Sequence, residues 1–471
     1  MLRKILFVLF PALVSGLLIS CDDDVIYEDP SARLSFSADT ILFDTIFTSI
    51  GSVTRHFKVY NTYDHSLRIS RISLAGGESS PYRINVDGIP GREFGEKILR
   101  RGDSIYVFVE TTIDPLDSDS PLLVKDSIVF EINGNLQNVK LISWGQDVHL
   151  VRGEVMQTQT LLAGKPYLVY DFMMVDTGHV LTLEPGVRIH FNKDARLKVA
   201  GSIVAEGTRE DPVVFEGYRT DRFYRNIPGQ WSGIWLMPGS KNNRFVNARI
   251  INAVNGILAD SLDMDGAGAL YLANSRIENM TYAGLIGLAS RIYSYNTIIS
   301  GCGHFAIVLG QGGDYTFYHC TIANYWNYSS RNTPSVLIDN YAGIGNNGAG
   351  HLKVAFANSI IHGSRSTEIA LTNYEESGSD EIFSHCLVKI DEEAYSSHPW
   401  LFKSTVTGKD PGFIDGRESN FRLGDESPAI DAGDPETGVL HPLDFDGNSR
   451  VSDDAPDIGA YEWIETEEND S

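Results

Sequence analysis

In "DSIVFEI", residues 126–132, Ile128, Phe130 and Ile132 alternate with Ser127, Val129 and Glu131, the two-residue period of a strand with one buried face. In "LRISRISL", residues 67–74, the apolar phase slips from Leu67 and Ile69 to Ile72 and Leu74. That slip predicts a bulge near Ser70 and Arg71. "RHFKVYN", "SIYVFVETT" and "NVKLISW" supply further strands, and "AGGESSPY", "VDGIPG" and "LDSDSP" supply the turns between them. Residues 32–148 are therefore expected to form an antiparallel β-sandwich. No nucleophile, base and orienting group come together in this stretch.

From residue 149 to 421 the pattern changes to short β-rich strings broken by turn residues, as in "VLTLEPGVRIHFNKDARLKVAGSIVAEG". One register recurs: "VNARII" at Asn247, "ANSRIE" at Asn274, "YNTIIS" at Asn296, "HCTIAN" at Cys320, "ANSIIH" at Asn358 and "HCLVKI" at Cys386, at intervals of 27, 22, 24, 38 and 28 residues. Such intervals suit coils of three short strands and three turns, with one coil carrying a long insertion. Equivalent residues would then stack about 4.8 Å apart, coil upon coil. An asparagine at the bend tolerates the left-handed conformation and offers its amide to the next rung. Small residues follow it, and Ile250, Ile277, Ile299 and Ile361 come at the third place, as interior packing requires. Cys320 and Cys386 are expected to take the asparagine's seat in their two coils, too far apart to bond to each other.

The first twenty residues do not belong to this pattern. Arg3 and Lys4 precede an apolar run from Ile5 to Ile19, shorter than the ~20 residues that cross a bilayer and followed by acids. Residues 1–20 therefore read as a signal peptide, 21–31 as an acidic tether and 465–471 as an acidic tail. The chain has 62 Asp and Glu against 38 Lys and Arg, a net charge of −24. Such a surface argues against nucleic acid as a partner, because phosphate binding runs on basic patches. Its 44 glycines, 21 tyrosines and 22 phenylalanines agree with β structure rich in turns. Beyond Cys21 only Cys302, Cys320 and Cys386 remain, an odd number that points to buried free thiols.

Three features carry resemblances. "LISC", residues 18–21, resembles the lipobox of bacterial lipoproteins, in which Cys21 is acylated and begins the mature chain. Asp22, Asp23 and Asp24 resemble the acidic signal that sends lipoproteins of the Bacteroidetes group to the outer face of the outer membrane. "ESPAIDAGDP", "DFDGNSR" and "DIGAYEW", between residues 426 and 463, resemble the ending of many bacterial surface β-helix proteins. Together these imply a surface lipoprotein, anchored in outer-membrane lipid through Cys21. Its fold would be an Ig-like domain followed by a right-handed parallel β-helix of the pectate-lyase-like superfamily, all-β throughout. Residues 422–464 would then cap the last coil, with Arg450 pairing Asp457 or Glu462 inside the cap.

Candidate chemistry lies where the repeat is interrupted. "YRTDRFYRNIPGQW" concentrates Arg219, Arg222, Phe223, Tyr224, Arg225 and Trp231, and the long insertion after Cys320 carries Tyr325, Trp326 and Tyr328. Aromatic faces beside cations suit sugar rings or a protein partner. "ADSLDMDG" offers Asp260, Asp263 and Asp265, and "SGCGHF" offers His304, but no acid pair or base can be assigned a role among them. Asp444, Asp446 and Asn448 have the alternation of a calcium loop, with Gly447 misplaced for one, so no metal or cofactor is expected. The sequence thus points to a non-catalytic recognition or scaffold protein. It would bind a glycan or serve as an accessory subunit of an outer-membrane protein assembly. The alternative is a polysaccharide lyase or glycoside hydrolase on the same β-helix.

Overall fold

The structure is a computed structural model that describes residues 25–115, 118–262, 270–340, 351–372 and 382–465. Cys21 and Asp22 to Asp24 lie outside the described residues, as do Asp263 and Asp265. The chain divides after Asp147 into two compact units.

The first unit is a two-sheet β-sandwich. One sheet orders its strands Ser35–Phe36, Arg55–Tyr60, Ser104–Thr111, Tyr82–Val86 and Ile89–Gly91. The other is built on Thr40–Phe47, Asn135–Gln146, Leu122–Ile132 and Leu67–Leu74. Alternation sends Phe57, Val59, Val107 and Val109 from one sheet, and Ile69, Phe130, Val139 and Leu141 from the other, into a single core. The phase slip has the expected outcome: Glu131 faces Arg71 and Ile132 faces Ile69, which leaves Ser70 as the unpaired residue of a bulge. The sandwich is not wholly antiparallel, since Asn135–Gln146 runs parallel to Thr40–Phe47 and Ile26 bridges Ser66 in parallel.

The second unit is a parallel β-helix. Among the described residues its strands form one continuous 26-stranded sheet, in which strands pair in parallel with their equivalents one coil later. Ile250, Ile277, Ile299, Ile322, Ile361 and Val388 follow one another from coil to coil, all buried. On a neighbouring strand, Phe317, Phe356, Phe383 and Phe402 stack inside the solenoid, with ring centroids 4.6, 5.5 and 5.0 Å apart. Tyr395, on the short helix Glu392–Ser397, meets the last of these rings at 5.2 Å.

The C-terminal segment does not sit on the end of the solenoid. It runs along the flank. The Gly459 amide donates to the Asn358 carbonyl (2.8 Å), the Ala460 amide to the Thr321 hydroxyl (2.9 Å), and the Asn296 amide group to the Leu443 carbonyl (2.8 Å). The reason is the outward face of the strands at Ile298, Ala323, Ile360 and Leu387, which is apolar. Phe421 and Tyr461 cover its first half, and Leu423 and Ile458 its second. Within this strap Arg450 is fully buried and ion-paired to Glu462, and it also donates to the Gly459 carbonyl at 3.0 Å. Its contact with Asp457 goes to the carbonyl oxygen, at 3.4 Å, and not to the carboxylate. Asp444 takes the Asn448 amide (2.6 Å) on one oxygen and the Glu462 amide (2.9 Å) on the other, so this carboxylate closes a turn.

Candidate functional site

Two ladders of bends frame the site. In the first, Asn247, Asn274, Asn296, His319, Asn358 and His385 all adopt left-handed backbone, with φ between 46° and 50°. The expected asparagine-to-asparagine contact is present, the Asn296 amide donating to Asn274 Oδ1 at 3.0 Å; Asn296 is buried and Asn274 half-buried. Cys320 and Cys386, however, do not take the asparagine's seat. Strand register aligns Thr321 with Ile298 and Leu387 with Ile360, so the bends belong to His319 and His385 and the cysteines occupy the small interior position that follows. The physical cause is volume. Cysteine fills the seat of Ser275, Thr297 and Ser359, whereas a ring with a polar edge can take the outward bend, as His319 does beside the Asn358 amide at 3.3 Å. Burial pushes the thiols of Cys302 and Cys386 up to about 12 and that of Cys320 to about 11, which leaves all three inert.

The second ladder lies five residues further along each coil, at Asn252, Asn279, Gly301, Asn324 and Gly363. Asn252 and Asn279 are again left-handed, and the Asn279 amide donates to Asn252 Oδ1 at 2.6 Å. Both also hold the first insertion in place, Asn252 through the Arg225 carbonyl (2.6 Å) and Asn279 through the Asn226 carbonyl (2.6 Å). The repeat "N-x-x-x-x-N" at 247–252 and 274–279 is the sequence signal for this second ladder.

The two insertions meet. The Tyr328 hydroxyl donates to the Asn226 carbonyl, and Trp326 packs against Tyr328 with ring centroids 5.0 Å apart. Behind them the second insertion is clamped by a buried pair, in which Arg331 grips Glu368 with both terminal nitrogens (2.6 and 2.9 Å) while the Ser335 amide and hydroxyl donate to the same carboxylate. The two loops wall a groove of about 420 Å³ on the outside of the solenoid. Its floor is the outward face of Arg249, Ile251, Arg276, Glu278 and Ser300. Its far side is Arg417, Glu418 and Ser419 from the turn that precedes the strap. Arg276 is paired with Glu278 (2.9 Å) and donates to the Tyr461 hydroxyl (2.8 Å), so the strap also supports the floor.

The candidate residues separate on this geometry. Arg225, Tyr325, Trp326 and Tyr328 line the groove. Tyr325 binds back into the protein, its hydroxyl 2.6 Å from His362 Nδ1; burial raises the phenol and lowers the His362 imidazole to about 4. Phe223, 73% exposed, and Tyr224 lie on the same insertion but are not among the lining residues, and Tyr224 is covered by the Arg219 guanidinium at 3.7 Å, itself paired to Asp221 at 2.8 Å. Arg222 is exposed and likewise does not line the groove. Trp231 is not a surface residue. It is 1% exposed, stacks on Phe191 at 4.1 Å, and donates its indole N–H to the Ile251 carbonyl at 2.9 Å. Asp260 lies near the Trp235 indole (3.4 Å) and His304 packs against Tyr282, and neither lines the groove. Arg249, Arg276, Glu278, Arg417 and Glu418 were missed by sequence reasoning because regular strands and a turn carry them.

No family model and no curated protein matches this chain. Among solved structures, a family 123 glycoside hydrolase from Clostridium perfringens is 7% identical over 26% of this chain and 30% of its own, with a TM-score of 0.19. The PapD-like domain 7 of human CEP192 is 10% identical over 28% of this chain and 97% of its own, with a TM-score of 0.18. At these scores neither likeness bears on function.

Proposed function

We propose that this chain is a lipid-anchored surface protein of the Bacteroidetes type, with an Ig-like first domain, whose β-helix captures a glycan in the groove between its two insertions without cleaving it. The observation that carries the reading is the meeting of Trp326 and Tyr328 with Arg225 and Asn226, two separate interruptions of the repeat that form one surface. Interrupting a solenoid costs chain entropy, and here both interruptions are held by dedicated polar contacts. An indole and a phenol beside arginines supply the apolar face and the donors that a sugar ring needs. Against catalysis, Glu278, the acid on the floor, is tied to Arg276 at 2.9 Å and touched by the Ser300 hydroxyl at 3.4 Å. Trp326→Ala with Tyr328→Ala should weaken glycan capture at least about tenfold while the melting temperature stays nearly constant. Capture equal to the parent protein would refute the site. Release of new reducing ends or unsaturated products, abolished by Glu278→Gln, would establish the enzymatic alternative instead.

A second reading, an accessory subunit docked on an outer-membrane protein, has its own support in the sandwich. Leu42, Leu123 and Trp144 are exposed on the outer side of one sheet, with Leu123 directly opposite Trp144. Crosslinking from intact cells at Trp144 would retrieve such a partner in stoichiometric amount.

A further inference from the structure

The charges in the groove run against those of the chain. Acids outnumber bases 62 to 38 overall, yet the groove is lined by four arginines and two glutamates, an excess of two positive charges. Arg276 is neutralised by Glu278. Arg225, Arg249 and Arg417 remain, and their guanidinium groups make no hydrogen bond or ion pair with the described residues. Two of the four stand in register on neighbouring coils, Arg249 directly above Arg276. Glu278 already serves Arg276, so the Arg249 guanidinium beside it is left for an anion from outside.

From this we infer that the ligand is an anionic glycan, bearing carboxylate or sulfate groups, bound by direct guanidinium contact and not through a bridging divalent cation. The inference rests on the reading of the groove as a glycan site. Arginine forks match planar carboxylates and sulfates with two parallel hydrogen bonds. The backbone anchors leave the side chains free for this: Asn252 fixes Arg225 through its carbonyl (2.6 Å), and Asp415 fixes Arg417 through its amide (3.2 Å). Trp326 and Tyr328 would take the apolar face of the same sugar, so that ring and charge are read together.

The test is a calorimetric titration of the full chain with four probes: a hexameric oligouronate, a carrageenan hexasaccharide carrying sulfate alone, and neutral cellohexaose and mannohexaose. Each is run at low and at about 0.3 M salt, with and without EDTA. The expected result is binding of one or both anionic probes at least about tenfold tighter than either neutral one, weakened by salt and unchanged by EDTA. The oligouronate and carrageenan arms decide between carboxylate and sulfate. Arg249→Gln and Arg417→Gln, both exposed and unpaired among the described residues, should each lower the anionic affinity about tenfold at unchanged melting temperature, with a clearly smaller loss for the neutral probes. Neutral hexaoses bound as tightly as the anions, with both variants silent, would overturn the anionic assignment and leave the glycan site standing. Loss of binding in EDTA would overturn direct guanidinium contact. Absence of binding by all four probes would count against both readings.

Discussion

Asn296 holds three structural tasks in one amide. It donates to Asn274 on the coil below and to the Leu443 carbonyl of the strap, and it accepts from the buried Arg450 at 3.1 Å, all from a bend with φ of 46°. Asn296→Leu removes these bonds and forces a branched side chain into left-handed backbone, so a loss of about 2–4 kcal/mol is expected in urea unfolding. Unchanged stability would mean that the ladder bears no weight. Arg450→Met should be costlier, about 3–5 kcal/mol, because it strands the buried carboxylate of Glu462. The cysteines give the opposite expectation: a thiol reagent should label none of Cys302, Cys320 and Cys386 in the native protein, since burial keeps them protonated.

Among the elements, the strap is the one whose role was least legible. Its three sequence blocks were visible, but a flank and an end both need covering, and only the coil-to-coil register shows the apolar outer face at Ile298, Ala323, Ile360 and Leu387. The ladder was legible from Asn247, Asn274, Asn296 and Asn358, whose side chains suit the bend. It was misplaced by one residue where histidine took that bend, because "HC" offers two plausible occupants and strand pairing alone distinguishes them. The groove was half legible. Aromatic loops stand out from a repeat, whereas Arg249 and Arg276 occupy ordinary strand positions. Acid should loosen the strap at His441, whose ring stacks on Tyr295 at 4.0 Å and hydrogen-bonds Tyr293 at 2.8 Å, with a pKa lowered by burial to about 4. A base depressed in the folded state stabilises fully above its unfolded value near 6.5. This contribution is lost as pH falls from there toward 4. His441→Gln should therefore flatten that part of the stability curve, and an identical fall in the variant would remove His441 from the account.

For the whole molecule, the anchor and the groove make one proposal: a solenoid held at the membrane by Cys21, its insertions turned to a ligand that cells encounter outside. Cys21→Ser should release the protein from the membrane fraction. Replacing Asp22, Asp23 and Asp24 by alanine should leave it attached but protected from external protease, and unchanged protease accessibility would contradict the export signal. The most direct test of the central claim is hydroxyl-radical footprinting of the cell-displayed chain with and without the oligosaccharide that binds it, read at every aromatic residue by mass spectrometry. Protection is expected at Trp326 and Tyr328, with Trp144 and Phe223 unaltered. Protection at Trp144 with Trp326 and Tyr328 unaltered would contradict the claim and place recognition on the sandwich.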